Sequence, residues 1–336
     1  MNKNKLNWII SILLGVIFLL LWIKMVDWNE FFNYFKKFQL KMVLFFSLFY
    51  VLAYFFRSLR WRIILKPIYQ MKVHESFQIF ITGLIINYII PIRAGELAKS
   101  VILKIKKNVR ISQSLPSIFI DKMTDLFPII LIMILIPLIS VRLNTILFAI
   151  ILLIFIIFLI FLGFLYFAAN HKDKAVKFLN VFLKIIPSHY REKVEIFFEN
   201  FINGMAIMQN RFWDNVLISL LTILAVLSES VYIYAVFVSF GAHISYAKIL
   251  FGYTLMNLTY ILPTPPAQIG SNQFMWVLIF SFALGINENL TSAAVIFSHL
   301  LTTIWIFLLG GISLLALKLK FSELVMKKNR NLNLQQ

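Results

Sequence analysis

Pro91-Ile-Arg-Ala-Gly-Glu-Leu-Ala-Lys-Ser100 places a proline, a glycine and three charged side chains inside an otherwise strongly apolar sequence. The flanks decide how this stretch is read. From Phe77 the chain is apolar for only 14 residues before Pro91, and after Glu96 it turns helical again and surfaces in Lys104, Lys106, Lys107 and Arg110. About 20 apolar residues are needed to cross the hydrocarbon as a helix, so the approach is too short for a crossing. Upstream, Arg57, Arg60, Arg62, Lys66 and Lys72 form a second basic cluster. Positive clusters mark the cytoplasmic side, and a single crossing would put one of the two outside. A hairpin with its tip at Pro91 to Gly95 keeps both inside.

The composition supports a membrane setting. Of 336 residues, 61% are hydrophobic and 14% charged. Leu143 to Ala169 carries no charge over 27 residues, where a membrane barrel would alternate polar and apolar positions. The net charge of +18 lies between the apolar runs, so it reads as topology rather than nucleic-acid binding. With no cysteine, disulfides, thiol catalysis and cysteine metal sites are excluded. The fold expectation is all-α, with about six full spans plus two re-entrant hairpins. One domain covers 1–320, with an amphipathic cytoplasmic insertion at 170–211 and a basic tail at 321–336. Both termini are expected in the cytoplasm.

The second hairpin is expected around Leu262-Pro-Thr-Pro-Pro-Ala-Gln-Ile-Gly270, where Pro263, Pro265 and Pro266 forbid a continuous helix. On this threading, span–hairpin–span from Met42 to Ser140 recurs in the opposite orientation from Phe212 to Leu317. That order defines an inverted repeat, with paired breaks pointing to a binding site. Charged residues within the spans need partners or water, which singles out Arg93, Glu96, Asp121, Lys122, Asp125 and Glu229. Asp121 and Asp125, four apart, share a helix face and call for Arg93, a loop cation or a proton on one of them. The candidate substrate-binding set is Arg93, Glu96, Asp121, Asp125, Glu229, Gln268 and Gln273. Asn87, Pro91, Gly95, Asn257, Pro263, Pro266 and Gly270 are assigned to shaping the hairpins. His299 reads as a hydrogen-bonded packing residue. No phosphate loop, metal-ligand spacing or nucleophile elbow is present, so neither a cofactor nor an enzyme is expected. Asp27 and Glu30 could imitate the acidic loop of a membrane glycosyltransferase, and that, or an accessory subunit acting on lipid-linked sugars, is the alternative reading.

Four stretches resemble the transmembrane flippase-like domain of lysylphosphatidylglycerol synthases. Arg57-Ser-Leu-Arg60-Trp-Arg62 resembles that family's Arg-x-x-Arg-Trp segment. Gly83…Asn87…Pro91-Ile-Arg93-Ala-Gly95-Glu96 resembles its Gly-x-x-x-Asn-x-x-x-Pro-x-Arg-x-Gly-Glu core. Asp121-Lys122-Met-Thr-Asp125 is similar to its Glu-Arg-x-x-Asp, and Pro263 to Gln273 to its Pro-x-x-Pro-Gly-Gly-x-Gly-x-x-Glu loop. Here Ala267 and Gln268 replace the glycine pair and Gln273 replaces the acid. The resemblance implies a stand-alone member that moves an anionic or aminoacylated phospholipid, or a polyprenyl-phosphate-linked lipid, between leaflets of a prokaryotic cytoplasmic membrane. It implies no aminoacyl transfer, since the synthase domain is absent, and suggests a lipid-modifying or glycan-assembly enzyme as partner.

Overall fold

A computed structural model describes residues 3–90, 94–125, 127–128, 211–259 and 265–319, with scattered positions between 148 and 191. All regular structure among the described residues is helical. Pro91, Arg93, Pro263, most of the insertion at 170–211 and the tail at 321–336 lie outside the described residues, as do half of the expected span Leu115–Ser140 and most of Leu143–Ala169.

Helix α1 (Lys3–Met25) is followed by the short α2 (Trp28–Phe35), whose start is capped by the Asp27 side chain accepting from the Asn29 and Glu30 amides. The α1 segment Ser11–Met25 and α2 meet at 86°, the geometry expected where an amphipathic segment leaves a span and lies along its end. Three further helices are long and apolar enough to cross a membrane: α3 (Leu40–Leu65), α7 (Phe212–Ser239) and α10 (Glu288–Ala316). Between α3 and α7 in the chain come α4 (Val73–Ile89), α5 (Ala94–Lys107) and α6 (Ile111–Thr124). After α7 come α8 (Tyr246–Thr259), a single 3₁₀ turn (Pro266–Gln268), α9 (Ser271–Trp276) and a π-helical segment (Val277–Ala283).

The molecule turns the usual solubility pattern outward. Leu13, Leu20, Phe45, Leu48, Leu220, Ile304, Leu308 and Ile312 are exposed on the long helices, whereas Arg60, Lys99, Asp121 and Glu229 are buried. An apolar exterior around a polar interior fits a solvent of lipid chains. The chain is therefore a multi-pass membrane protein.

Helices α3 and α7 form the most extensive pair, and α4 packs along both α5 and α10. Glycines let backbones touch at the two breaks. A Cβ on Gly95 would lie 1.9 Å from the Gly83 carbonyl oxygen, which draws α5 directly against α4. Gly270, at φ +80°, has its would-be Cβ 2.1 Å from the Gly15 carbonyl oxygen, so α1 seals the second break.

One reading of the charge pattern needs correction. Arg57 and Arg60 are not exposed loop residues. Apolar residues continue past them to Leu65, α3 runs on through both, and Arg60 is 1% exposed. Lys99 is likewise buried, under the rings of Phe80 (4.5 Å) and Trp61 (5.2 Å).

Candidate functional site

The elements around the two breaks enclose a cavity of about 480 Å³. Tyr50, Tyr54 and Arg57 come from α3, Asn87 and Tyr88 from α4, Glu96 and Lys99 from α5, and Lys122 and Asp125 from α6 and its cap. The rest of the lining is Glu229 and Tyr232 of α7, Tyr253 and Asn257 of α8, Gln268 and Asn272 of the second break, and His299 of α10.

The first wall is built by charge. Arg60 donates through Nε to Asp121 (2.9 Å), and its Nη2 lies 2.7 Å from Asp125 Oδ1; the guanidinium also reaches Thr222 and the Asp121 carbonyl oxygen. A planar fork with several fixed donors suits two carboxylates one helical turn apart, which a lysine would satisfy less completely. Lys99 bridges Glu96 (2.7 Å) and Asp121 (3.4 Å), and Lys122 bridges Glu96 (2.9 Å) and Asp125 (3.2 Å). Separately, Arg57 binds Glu229 at 2.6 Å and donates to the Tyr253 hydroxyl, which itself donates to Glu229. The described network thus sets four cations (Arg57, Arg60, Lys99, Lys122) against four carboxylates (Glu96, Asp121, Asp125, Glu229). Such pairing keeps buried charge tolerable at membrane depth.

Asn87 closes the tip of the first hairpin. Its Oδ1 accepts from the Gly95 amide (2.7 Å) and its Nδ2 donates to Glu96 (3.1 Å), so one side chain satisfies a free amide at the start of α5 and fixes the carboxylate beside it. At the other end of that hairpin Glu75 and Lys107 pair at 2.5 Å. The Lys107 ammonium lowers the Glu75 carboxyl below its ordinary value by hydrogen bonding, and Glu75 raises Lys107 in return.

The second break is held by neutral groups. Gly270 N–H donates to Gln273 Oε1 (2.8 Å), which leaves the Gln273 amide nitrogen to donate to His299 Nδ1 (2.9 Å). That fixes the ring hydrogen on Nε2, facing the Ala267 carbonyl oxygen (2.8 Å) and the Tyr88 hydroxyl (2.8 Å). His299 therefore ties the second break to the end of α4. Ala267 and Gln268, at φ +53° and +56°, hold the left-handed turn without glycine.

Of the sequence-derived candidates, Glu96, Asp125, Glu229 and Gln268 line the cavity. Asp121, fully buried, lies behind it as the anchor of Arg60 and Lys99. Gln273 is a buried brace rather than a lining group. Arg93 lies outside the described residues, and the aspartate pair it was offered to is held by Arg60 and Lys122. Asn257 lines the cavity and donates to the Tyr253 carbonyl oxygen, while Pro266 opens the 3₁₀ turn. Sequence reasoning missed Arg57, Arg60 and Lys99. Excess carboxylates among the intramembrane charges were the available signal, since each required a cation.

Asp27 and Glu30 are occupied structurally. Asp27 caps α2, and Glu30 accepts from Asn287 (3.1 Å) and Asn289 (2.5 Å) at the start of α10. Neither faces the cavity.

A helical membrane protein with a charge-balanced cavity between two broken helical elements is the class defined by these features. Residues 8–310 match the family described as lysylphosphatidylglycerol synthase TM region, and the chain belongs to that family. No curated protein and no solved structure matches the chain.

Proposed function

We propose that the protein translocates a lipid between leaflets, its headgroup passing through the cavity while the acyl or prenyl chains stay in the bilayer. The observation that carries this reading is the cavity itself. Its volume of about 480 Å³ suits a polar headgroup rather than a whole lipid, and it is bordered by both breaks. Family membership supports a lipid as the cargo. The α4–α5 and α8–α9 elements act as re-entrant hairpins entered from opposite faces in an inverted repeat, and six spans surround them. The protein resides in a prokaryotic cytoplasmic membrane with both termini inside, and it acts as a transporter rather than an enzyme, beside a lipid-modifying or glycan-assembly partner.

Purified protein in liposomes containing tail-labelled phosphatidylglycerol or labelled polyprenyl phosphate tests this. Quenching of label from one side should go beyond the outer-leaflet fraction, at a rate proportional to protein per vesicle. Quenching that stops at the outer-leaflet fraction for both lipids would refute the proposal.

A further inference from the structure

We infer that Lys122 is the cation that leaves its carboxylates to bind the headgroup phosphate, so that the Lys122–Asp125 pair is the exchangeable element of the site. This rests on the lipid-translocation reading above. A phosphate entering the cavity needs a positive group that can turn toward it, and the four described cations differ sharply in that respect. Arg60 and Lys99 have side chains 1% and 2% exposed, the first held in a fork by two aspartates and the second enclosed by two aromatic rings. Arg57, 13% exposed, is fixed by Glu229 and Tyr253 and lies over the Tyr54 ring at 4.9 Å. Lys122 is 33% exposed, and Asp125 beside it 31%.

Departure of Lys122 also leaves no carboxylate bare. Glu96 keeps Lys99 at 2.7 Å and the Asn87 amide at 3.1 Å, and Asp125 keeps Arg60 at 2.7 Å. The long, flexible lysine stem allows the ammonium to swing by several ångströms, and it binds phosphate as a point charge. Arg60 and Lys99 thus hold the wall, and Lys122 is spare.

The recognised chemistry is a phosphate, whether the diester of a glycerophospholipid or the monoester of a polyprenyl phosphate. The test compares wild type, Lys122→Met and Lys122→Arg in liposomes carrying tail-labelled phosphatidylglycerol or labelled polyprenyl phosphate. In parallel, thermal unfolding in detergent is measured with and without water-soluble dihexanoyl phosphatidylglycerol, a phosphate-bearing probe that should stabilise the state it binds. Lys122→Met should slow at least one phosphate lipid tenfold or more, unfold within a few degrees of wild type, and lose the probe-induced rise in melting temperature. Lys122→Arg should keep both. The inference is overturned if Lys122→Met transports at the wild-type rate, or if it keeps the probe response; translocation by the wild type then still stands. Wild-type protein that moves neither lipid would instead remove the reading on which the inference rests.

Discussion

The two breaks reach the same cavity by different physical means. On the α4–α5 side, ion pairs fix the wall: Arg60, Lys99 and Lys122 share Asp121, Asp125 and Glu96. At the second break itself, around Ala267 to Gln273, the described contacts are neutral, a glutamine amide, a neutral imidazole and a glycine backbone pressed on α1. A charged wall can exchange partners with an ionic headgroup, whereas a neutral wall of fixed hydrogen bonds can only shape the space. The difference follows from residue types, Glu96 after the first break and Gln273 after the second.

The contrast can be broken most severely at Arg60. Arg60→Met should cost about 4 kcal/mol, because it strips Asp121 and Asp125 of their principal buried partner. A large fall in melting temperature in detergent would show it, and an unchanged one would mean that the charged wall is not what holds α3 to α6. On the neutral side the largest effect belongs to backbone contact. Gly270→Ala should cost about 3 kcal/mol, since its Cβ meets the Gly15 carbonyl oxygen and its φ of +80° disfavours any side chain. Gly15 to Gly270 separation, followed by cross-linking of α1 to α9, should increase in that variant.

Gln273→Leu should be milder, about 1–2 kcal/mol, by unpairing the Gly270 amide and His299 Nδ1. Unfolding curves of the variant and wild type in detergent should show that loss equally in low and high salt, since no charge is removed. The smallest effect lies at the open end of the first hairpin. Glu75 is depressed and Lys107 raised, so their pairing contributes between roughly the ordinary carboxylate value of about 4.3 and the ordinary lysine value of about 10.4. The Glu75 part is lost as pH falls through its lowered folded value, and the Lys107 part as pH rises through its raised one. Both groups are partly exposed, so Glu75→Gln should remove no more than about 1 kcal/mol at pH 7. Comparing unfolding of wild type and variant at pH 7 and pH 3 checks the sign: the difference should shrink at pH 3.

Much of this arrangement was legible in the residues. Short apolar approaches to Pro91 and Pro263, with basic flanks on the first, located both breaks, and buried carboxylates located the charged wall. Arg57 and Arg60 were misplaced because a cytoplasmic basic cluster and the cationic end of a long buried helix look alike in one dimension. What separates them is the carboxylate supply on α6 and α7, which becomes visible only once those helices pack against α3. Gln273 was read as a lining group because its amide is free in sequence, and in space Gly270 and His299 consume it. The Gly15–Gly270 contact joins residues 255 positions apart and leaves no periodic trace.

If a headgroup crosses between the two breaks, a block placed in the cavity should stop it. The chain has no cysteine, so a single Asn257→Cys in the cavity and a single Leu308→Cys on the lipid-facing side of α10 can each be labelled without background. A bulky thiol reagent should stop lipid translocation in liposomes for Asn257→Cys and leave Leu308→Cys at its unlabelled rate. Full translocation by labelled Asn257→Cys would contradict the account.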